Sequence, residues 1–511
     1  MVIQLVRIEF VLCRGRSRLK GNDGCWGVVD ETISAIGRSQ GVFSVFSENK
    51  QGGPSIVSRR ELLSVGGLSL LGLTSSQLAS VRAWADQGAI KGQDRSCVFL
   101  FLFGGPSQID LWDMKPQAPS EIRGDFRPIS TAVPGIQVCE HLPKLAAQMD
   151  KVCLLRSMTH GMNVHGPACS QIFSGRDYFG APITDQALPE DWPSLSSLTM
   201  RYGQAARQLP PSVVLPWYLH FPGQDRRIAG QTGGRMGERH NAMLLQGDDE
   251  TFGFQTQGYQ LHPAVPLSRI QRRRELLAKI QTTSGARQLY TESLDHHRGQ
   301  AMALLEGRAD QVLDLKRESE QTRERYGKTM VGQSLLMARR LVEAGISLVT
   351  VNWEDETKID GVNTCWDTHQ DNFAKLKNLL CPIFDRAYTA FIEDLHERGL
   401  LETTLVIAVG EFGRTPHMGQ FTQSGNTMKS GRDHWPSAFT ALLAGGGVRG
   451  GQVYGSTDRH SAQVADQPVS PGDLTATVMH HLGIDHTQQY VDEIQKLRHR
   501  LSDGTPVKDL G

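Results

Sequence analysis

Five segments of the chain are apolar at nearly every position: CVFLFLF at 97–103, VCLLRSM at 152–158, SVVLPWYL at 212–219, ISLVTVNW at 346–353 and TLVIAV at 404–409. A strand with one face in water alternates apolar and polar residues, whereas a strand covered on both faces stays apolar throughout. These runs therefore predict buried strands of a mostly parallel sheet. Between them the apolar positions recur at helical spacing: PLSRIQRRRELLAKIQ at 266–281, a charged stretch over 293–345, and NFAKLKNLLCPIFDRAYTAFIEDLHERG at 372–399, a long amphipathic helix that Gly399 ends. Strands alternating with helices imply an α/β fold, a mostly parallel central sheet with helices on both faces, over residues 86–490 as one domain. Residues 224–257, rich in Gly, Arg, Gln and Asp, read as a polar insertion long enough for a lid, and 491–511 as a charged peripheral tail.

Near the amino terminus a different pattern interrupts. Residues 58–85 carry the pair Arg59–Arg60, an apolar Gly-rich segment from Leu62 to Leu73, and small residues ending in Ala83-Trp84-Ala85. That order of charged region, apolar region and A-x-A site is a twin-arginine-type signal peptide, so the mature protein is expected to be periplasmic or secreted. The apolar segment is too short for a stable membrane span, and no later segment has the length for one. Residues 1–57 fit no part of such a signal and suggest an over-called start, with Val57 as an alternative initiator.

Charge narrows the partner. Lys plus Arg number 54 and Asp plus Glu 54, with no long block of either sign, so nothing points to nucleic acid. A small-molecule or polysaccharide ester substrate fits better. Of eight cysteines, none forms a C-x-x-C pair, which argues against a zinc ribbon or thioredoxin motif. Buried thiols are the expectation for the six beyond the signal, a disulfide among them the alternative that export permits.

Chemistry-bearing residues collect after the apolar runs, where open α/β sheets bind ligands. Ser107, Asp110 and Asp113 follow the first run; His160, His165, Cys169 and Ser170 follow the second; WDTHQDNF, with Asp367 and His369, follows the fourth; Glu411 and Arg414 follow the fifth, with Asp433 and His434 soon after. Carboxylates and imidazoles converging from several loops make a metal site, and Asp-x-His or Asp-His lets one turn give two ligands. Asp110, Asp367, His369, Glu411, Asp433 and His434 are the candidate ligands for one or two divalent ions, zinc, calcium, magnesium or manganese. Arg414 is a candidate clamp for an anionic oxygen, with His160 beside it in binding substrate. His165 is a candidate proton carrier, and Ser107 completes the catalytic set. The competing structural reading pairs Glu411 with Arg414 as an ion pair that braces the turn.

FLFGGPSQIDLWDMKP, WDTHQDNF, GEFGRTP, GRDHWP and LLAGGGVRGGQVYGSTD, in this order after the signal, resemble the bacterial family called domain of unknown function 1501. The resemblance implies a fold similar to the alkaline phosphatase and sulfatase superfamily. By that likeness Asp367 and His369 resemble its Asp and His pair, Glu411 stands where a later Asp-His would be, and His434 resembles the terminal histidine. CSQIF from Cys169 lacks the proline and arginine of the sulfatase signature, and GGPS replaces the usual acidic residue at the first strand's end, leaving Asp110 as a displaced substitute and the nucleophile unassigned. The expected function is an exported metal-dependent hydrolase of sulfate or phosphate esters. The alternative is a non-catalytic member of the fold that binds a sulfated polysaccharide or a cell-surface partner.

Overall fold

In the computed structural model the run at 97–103 forms strand β1 (Ser96–Leu102), buried along its whole length. Its alternate side chains enter opposite cores: Val98, Leu100 and Leu102 join one, and Cys97, Phe99 and Phe101 the other. This division explains why the sequence runs are continuous rather than alternating. The structure describes strand residues 36–39, 42–48 and 54–56, and residues 95–510 except 181–185, 205–208, 222–225, 249, 355–364, 423–426 and 257–307, within which only 268–269, 271–273 and 275–276 are described. Residues 58–85, expected to be a signal, and most of the helix expected at 266–281 lie outside the described residues.

The chain divides into two units, 1–91 and 92–511. In the first, Ile36–Ser39, Val42–Glu48 and Pro54–Ile56 pair as an antiparallel three-stranded sheet. The second is built on nine strands: β1, β2 (Val152–Met158), β3 (Ser212–Leu215), β4 (Met243–Asp248), β5 (Gly253–Thr256), β6 (Leu348–Trp353), β7 (Thr404–Val409), β8 (Phe439–Ala444) and β9 (Gln452–Tyr454). Their order is β5-β4-β3-β6-β1-β7-β8-β2-β9. The sheet is mostly parallel; β8 runs antiparallel to both neighbours and β5 antiparallel to β4.

Helices cover both faces. Helices α1 (Gln108–Leu111) and α2 (Pro143–Ala147) follow β1, α3 (His165–Ser174) follows β2, and α4 (Leu195–Tyr202) precedes β3. Helix α5 (Met330–Glu343) leads into β6, α6 (Asn372–Lys375) and α7 (Cys381–Glu397) into β7, and α8 (Pro471–His481) comes last. One core takes Leu145 of α2, Leu336 of α5 and Phe391 of α7; the other takes Ile172 of α3, Leu198 of α4 and Val478 of α8.

Three expectations need correction. The helix over 372–399 is interrupted by a π-helical turn at Leu376–Leu380. Pro382 has no N–H for the regular ladder, and the turn before it widens. Within 224–257, a segment read as a polar insertion, Met243–Asp248 and Gly253–Thr256 extend the sheet as β4 and β5, β4 pairing with β3 and β5 in turn with β4. The tail from 491 is no loose appendage: Gln489–Val491 pairs with Arg498–Arg500, and Leu501 and Leu510 are buried in the second core. Among the described residues no helix is long and apolar enough to cross a membrane. The six cysteines from Cys97 to Cys381 are all buried and none is in a disulfide.

Candidate metal centre

β1, β6 and β7 are parallel neighbours, so their carboxyl ends open onto one edge. Gly104 and Gly105 turn the chain sharply there, at φ 109° and 77°. A Cβ on Gly105 would come within 2.6 Å of the Phe412 ring, so only glycine fits where the two strand-end loops touch. The Gly104 N–H donates to both carboxylate oxygens of Glu411, at 2.9 and 3.1 Å.

Around this point His165, Asp367, His369 and His434 bring one potential ligand atom each within 4.8 Å of one another. His369 Nε2 lies 3.0 Å from Asp367 Oδ1 and 3.0 Å from His434 Nε2. His434 Nε2 is 3.4 Å from Asp367 Oδ1, and His165 Nε2 is 3.4 Å from Asp367 Oδ2. The other ring nitrogens are occupied. His434 Nδ1 lies 2.7 Å from the Asn163 carbonyl oxygen, which can only accept, so Nδ1 carries the proton and Nε2 keeps its lone pair. His165 Nδ1 makes the same kind of contact with Glu411 Oε1 at 2.6 Å. His369 Nδ1 is 3.0 Å from Thr427 Oγ1 and 3.7 Å from Asp433 Oδ1. For His434 and His165 the partner behind the ring is an oxygen that accepts, which keeps a proton on Nδ1, the arrangement metal sites use.

Charge is distributed to suit. Burial alone would raise the Asp367 carboxyl, but Arg414 and then His165 hold it well below the usual carboxylate range. His434 is pushed down to about 3, by burial first and by His165 next. Burial would also lower His165, yet Asp367 and Glu411 carry it up to about 9. In the metal-free protein one imidazole thus holds a proton against two carboxylates, a proton that a cation would replace. Side-chain exposure falls from 14% at His165 and 9% at Asp367 to 3% at His369 and His434, so His165 is the most accessible member. Phe103 and Phe412 wall its ring.

The other predicted residues take different places. Asp110 is not among the converging atoms: Arg432 grips it at 2.8 and 2.9 Å, and Ser107 Oγ and Asn372 Nδ2 donate to it at 2.6 and 2.9 Å. Its lone pairs, and the Ser107 hydroxyl, are committed to this buried pair. Glu411 and Asp433 lie outside the four converging atoms, facing the Nδ1 sides of His165 and His369; Asp433 accepts from the Thr422 and His434 N–H groups, at 2.8 and 2.7 Å. Arg414 does not pair with Glu411. It is fully buried, contacts Asp367, and donates to the carbonyls of Gly105 and Arg432 at 2.9 and 3.1 Å, so its guanidinium is engaged by Asp367 and by backbone oxygens. His160 accepts from Met162 N–H at Nδ1 and directs Nε2 to the Glu411 carbonyl at 2.5 Å, bracing the turn. Arg432 is the residue that the sequence reading passed over, although it sits in GRDHWP beside Asp433 and His434.

The family described as protein of unknown function (DUF1501) matches residues 94–510. Among solved structures, the PsFucS1 sulfatase from Pseudoalteromonas sp. is similar at TM-score 0.36 and 13% identity, over 86% of this chain and 74% of that one. The phosphonate monoester hydrolase SpPMH from Silicibacter pomeroyi follows at TM-score 0.32 and 10% identity, covering 81% and 76%. The C-terminal periplasmic domain of EcEptC from Escherichia coli, in complex with Zn, gives TM-score 0.31 and 9% identity, covering 81% and 90%. No curated protein matches the chain. Likenesses this loose carry no chemistry across.

Proposed function

The chain belongs to the DUF1501 family, and we propose that it is a metal-dependent hydrolase of sulfate or phosphate esters, exported through its twin-arginine-type signal. One observation supports this above the others: three imidazoles and one carboxylate converge at the carboxyl ends of parallel strands, with the outer nitrogens of the imidazoles engaged by oxygens.

His165, Asp367, His369 and His434 would hold the ion. Three nitrogens and an oxygen suit zinc, whereas calcium and magnesium prefer oxygen alone. Bond lengths of about 2.0–2.1 Å imply tetrahedral ligand separations of about 3.3–3.4 Å; the short contacts here, counting both Asp367 oxygens, run from 3.0 to 3.4 Å, within a set whose four donor atoms spread over 4.8 Å. Asp110 and Asp433 are engaged elsewhere, which favours one ion over two. When bound, the ion supplies Lewis acidity towards an anionic ester oxygen. The chain's own part is positional. Glu411 holds His165 by Nδ1, the Asn163 carbonyl holds His434, and Arg414 keeps Asp367 ionised and pointed inward.

A second reading has an observation of its own. Four protein donors fill a tetrahedral site, as in structural zinc centres, and the Ser107 hydroxyl is tied to Asp110. On that reading the metal braces a protein that binds a sulfated polysaccharide without turnover. Metal analysis of the exported protein, followed by a panel of aryl sulfates, phosphates and phosphonates with and without chelator, separates the two. Chelator-sensitive turnover supports the hydrolase, stoichiometric metal without turnover the binding protein, and absence of metal after loading ends both.

A further inference from the structure

The loops that supply Asp367, His369, Glu411 and His434 also meet at a single ion pair outside the cluster. Asp110 and Arg432 are both fully buried. Arg432 spends all five of its N–H donors. Nε and one NH2 hydrogen go to Asp110 at 2.8 and 2.9 Å, and NH1 goes to the carbonyls of Thr415 and Pro416 at 2.9 and 2.5 Å. The remaining NH2 hydrogen goes to the Ile122 carbonyl at 2.8 Å. Thr415 and Pro416 end the loop of Glu411 and Arg414. The loop of Asp367 and His369 is tied in twice, by Asn372 Nδ2 to Asp110 at 2.9 Å and by the Arg432 N–H to the Thr368 carbonyl at 3.0 Å. Arg432 itself lies two residues before His434, and its carbonyl accepts from Arg414, the residue that grips Asp367.

We propose that the Asp110–Arg432 pair is a positioning clamp that sets the spacing of the donor cluster, so that metal affinity, and not stability alone, depends on it. The proposal rests on the metal reading above. A buried ion pair is a poor source of stability, and replacing both partners by apolar residues of similar size is often neutral. Its retention here is better explained by geometry. The guanidinium is planar and holds Asp110, the Ile122 carbonyl and the carbonyls of Thr415 and Pro416 at fixed angles, which a lysine cannot do. Donor separations near 3 Å leave little room for the loops to shift.

The test is zinc affinity by competition with a chromophoric chelator, on full-length protein. Asp110→Leu/Arg432→Met should remain folded and bind zinc about 10–100-fold more weakly, the range for groups that support metal ligands. Leu341→Ala, in the α5 core, serves as the control that lowers Tm without changing zinc affinity. A folded double variant with wild-type affinity overturns the clamp, as does a control that weakens zinc equally at matched loss of Tm. If the double variant does not fold, Asn372→Leu cuts the branch from Asp110 to the Asp367 loop together with the bond that Asn372 Oδ1 accepts from Thr368 Oγ1 at 2.7 Å, and unchanged affinity there overturns the proposal as well. Wild-type protein that takes up no zinc overturns the metal reading itself and removes what the clamp would position, a result distinct from loss in the variants alone.

Discussion

His434 and Asp367 make the sharpest residue-level test, because each gives one of the four converging donor atoms and is held in place by a partner of its own, the Asn163 carbonyl and Arg414. His434→Ala and Asp367→Asn are expected to lose bound metal and any turnover together; metal content by mass spectrometry checks this, and stoichiometric metal in both variants would refute the site. Acidity gives a second prediction with a definite sign. Burial pushes His160 down to about 4 and His434 to about 3, from an ordinary 6.5. Below 6.5 the unfolded chain binds protons that the native state refuses, so stability falls as pH drops from 6.5 towards 4. His165 is raised to about 9, so its contribution is complete below 6.5 and lost as pH rises through 9. Chelator-treated protein should therefore have its highest Tm near pH 6.5. His160→Asn should flatten the acid limb, and His165→Asn the alkaline limb. These histidines were visible in the sequence as polar residues after apolar runs. What was not visible is which carboxylates are ligands and which stand behind them, because Asp110, Glu411 and Asp433 differ from Asp367 only in their partners across loops far apart in sequence.

At the level of elements, two-sided burial made the central strands legible: the runs at 152–158 and 404–409 coincide with β2 and β7. FTALLA at 439–444 escaped notice because alanine and leucine favour helices, and only its place between β7 and β2 makes it a strand. β9 is too short to show a period at all. The same logic locates stability. Ile407 of β7 lies in the second core with no exposure, so Ile407→Ala should cost about 2–5 kcal/mol in urea unfolding. At the start of α8, Ser470 and Asp473 form a reciprocal cap, with Ser470 Oγ accepting from the Asp473 N–H at 3.1 Å and Asp473 Oδ2 accepting from the Ser470 N–H at 3.0 Å. Ser470→Ala should cost about 1 kcal/mol. A smaller loss at Ile407 than at Ser470 would mean that β7 is not the core strand described here.

For the whole molecule, the question that joins fold to biology is where metal is acquired. The donor cluster draws on loops from 365 to 434 and on the start of α3, so it is assembled only when the large sheet has closed. A binding site that exists only in the folded chain couples metal uptake to folding. The proposed twin-arginine signal, if it operates, uses a route that carries folded proteins, and on that proposal the cluster would be complete, with its ion, before the protein crosses the membrane. Replacing Arg59 and Arg60 by lysines is then expected to strand a folded, metal-bearing protein in the cytoplasm, while Asp367→Asn, which leaves the signal intact, should be exported without metal. Fractionation with metal analysis of each pool reads both variants at once. Export of the double-lysine variant at wild-type level would remove the signal assignment without touching the site, and metal found only in the exported pool of the wild-type protein would place loading after transport.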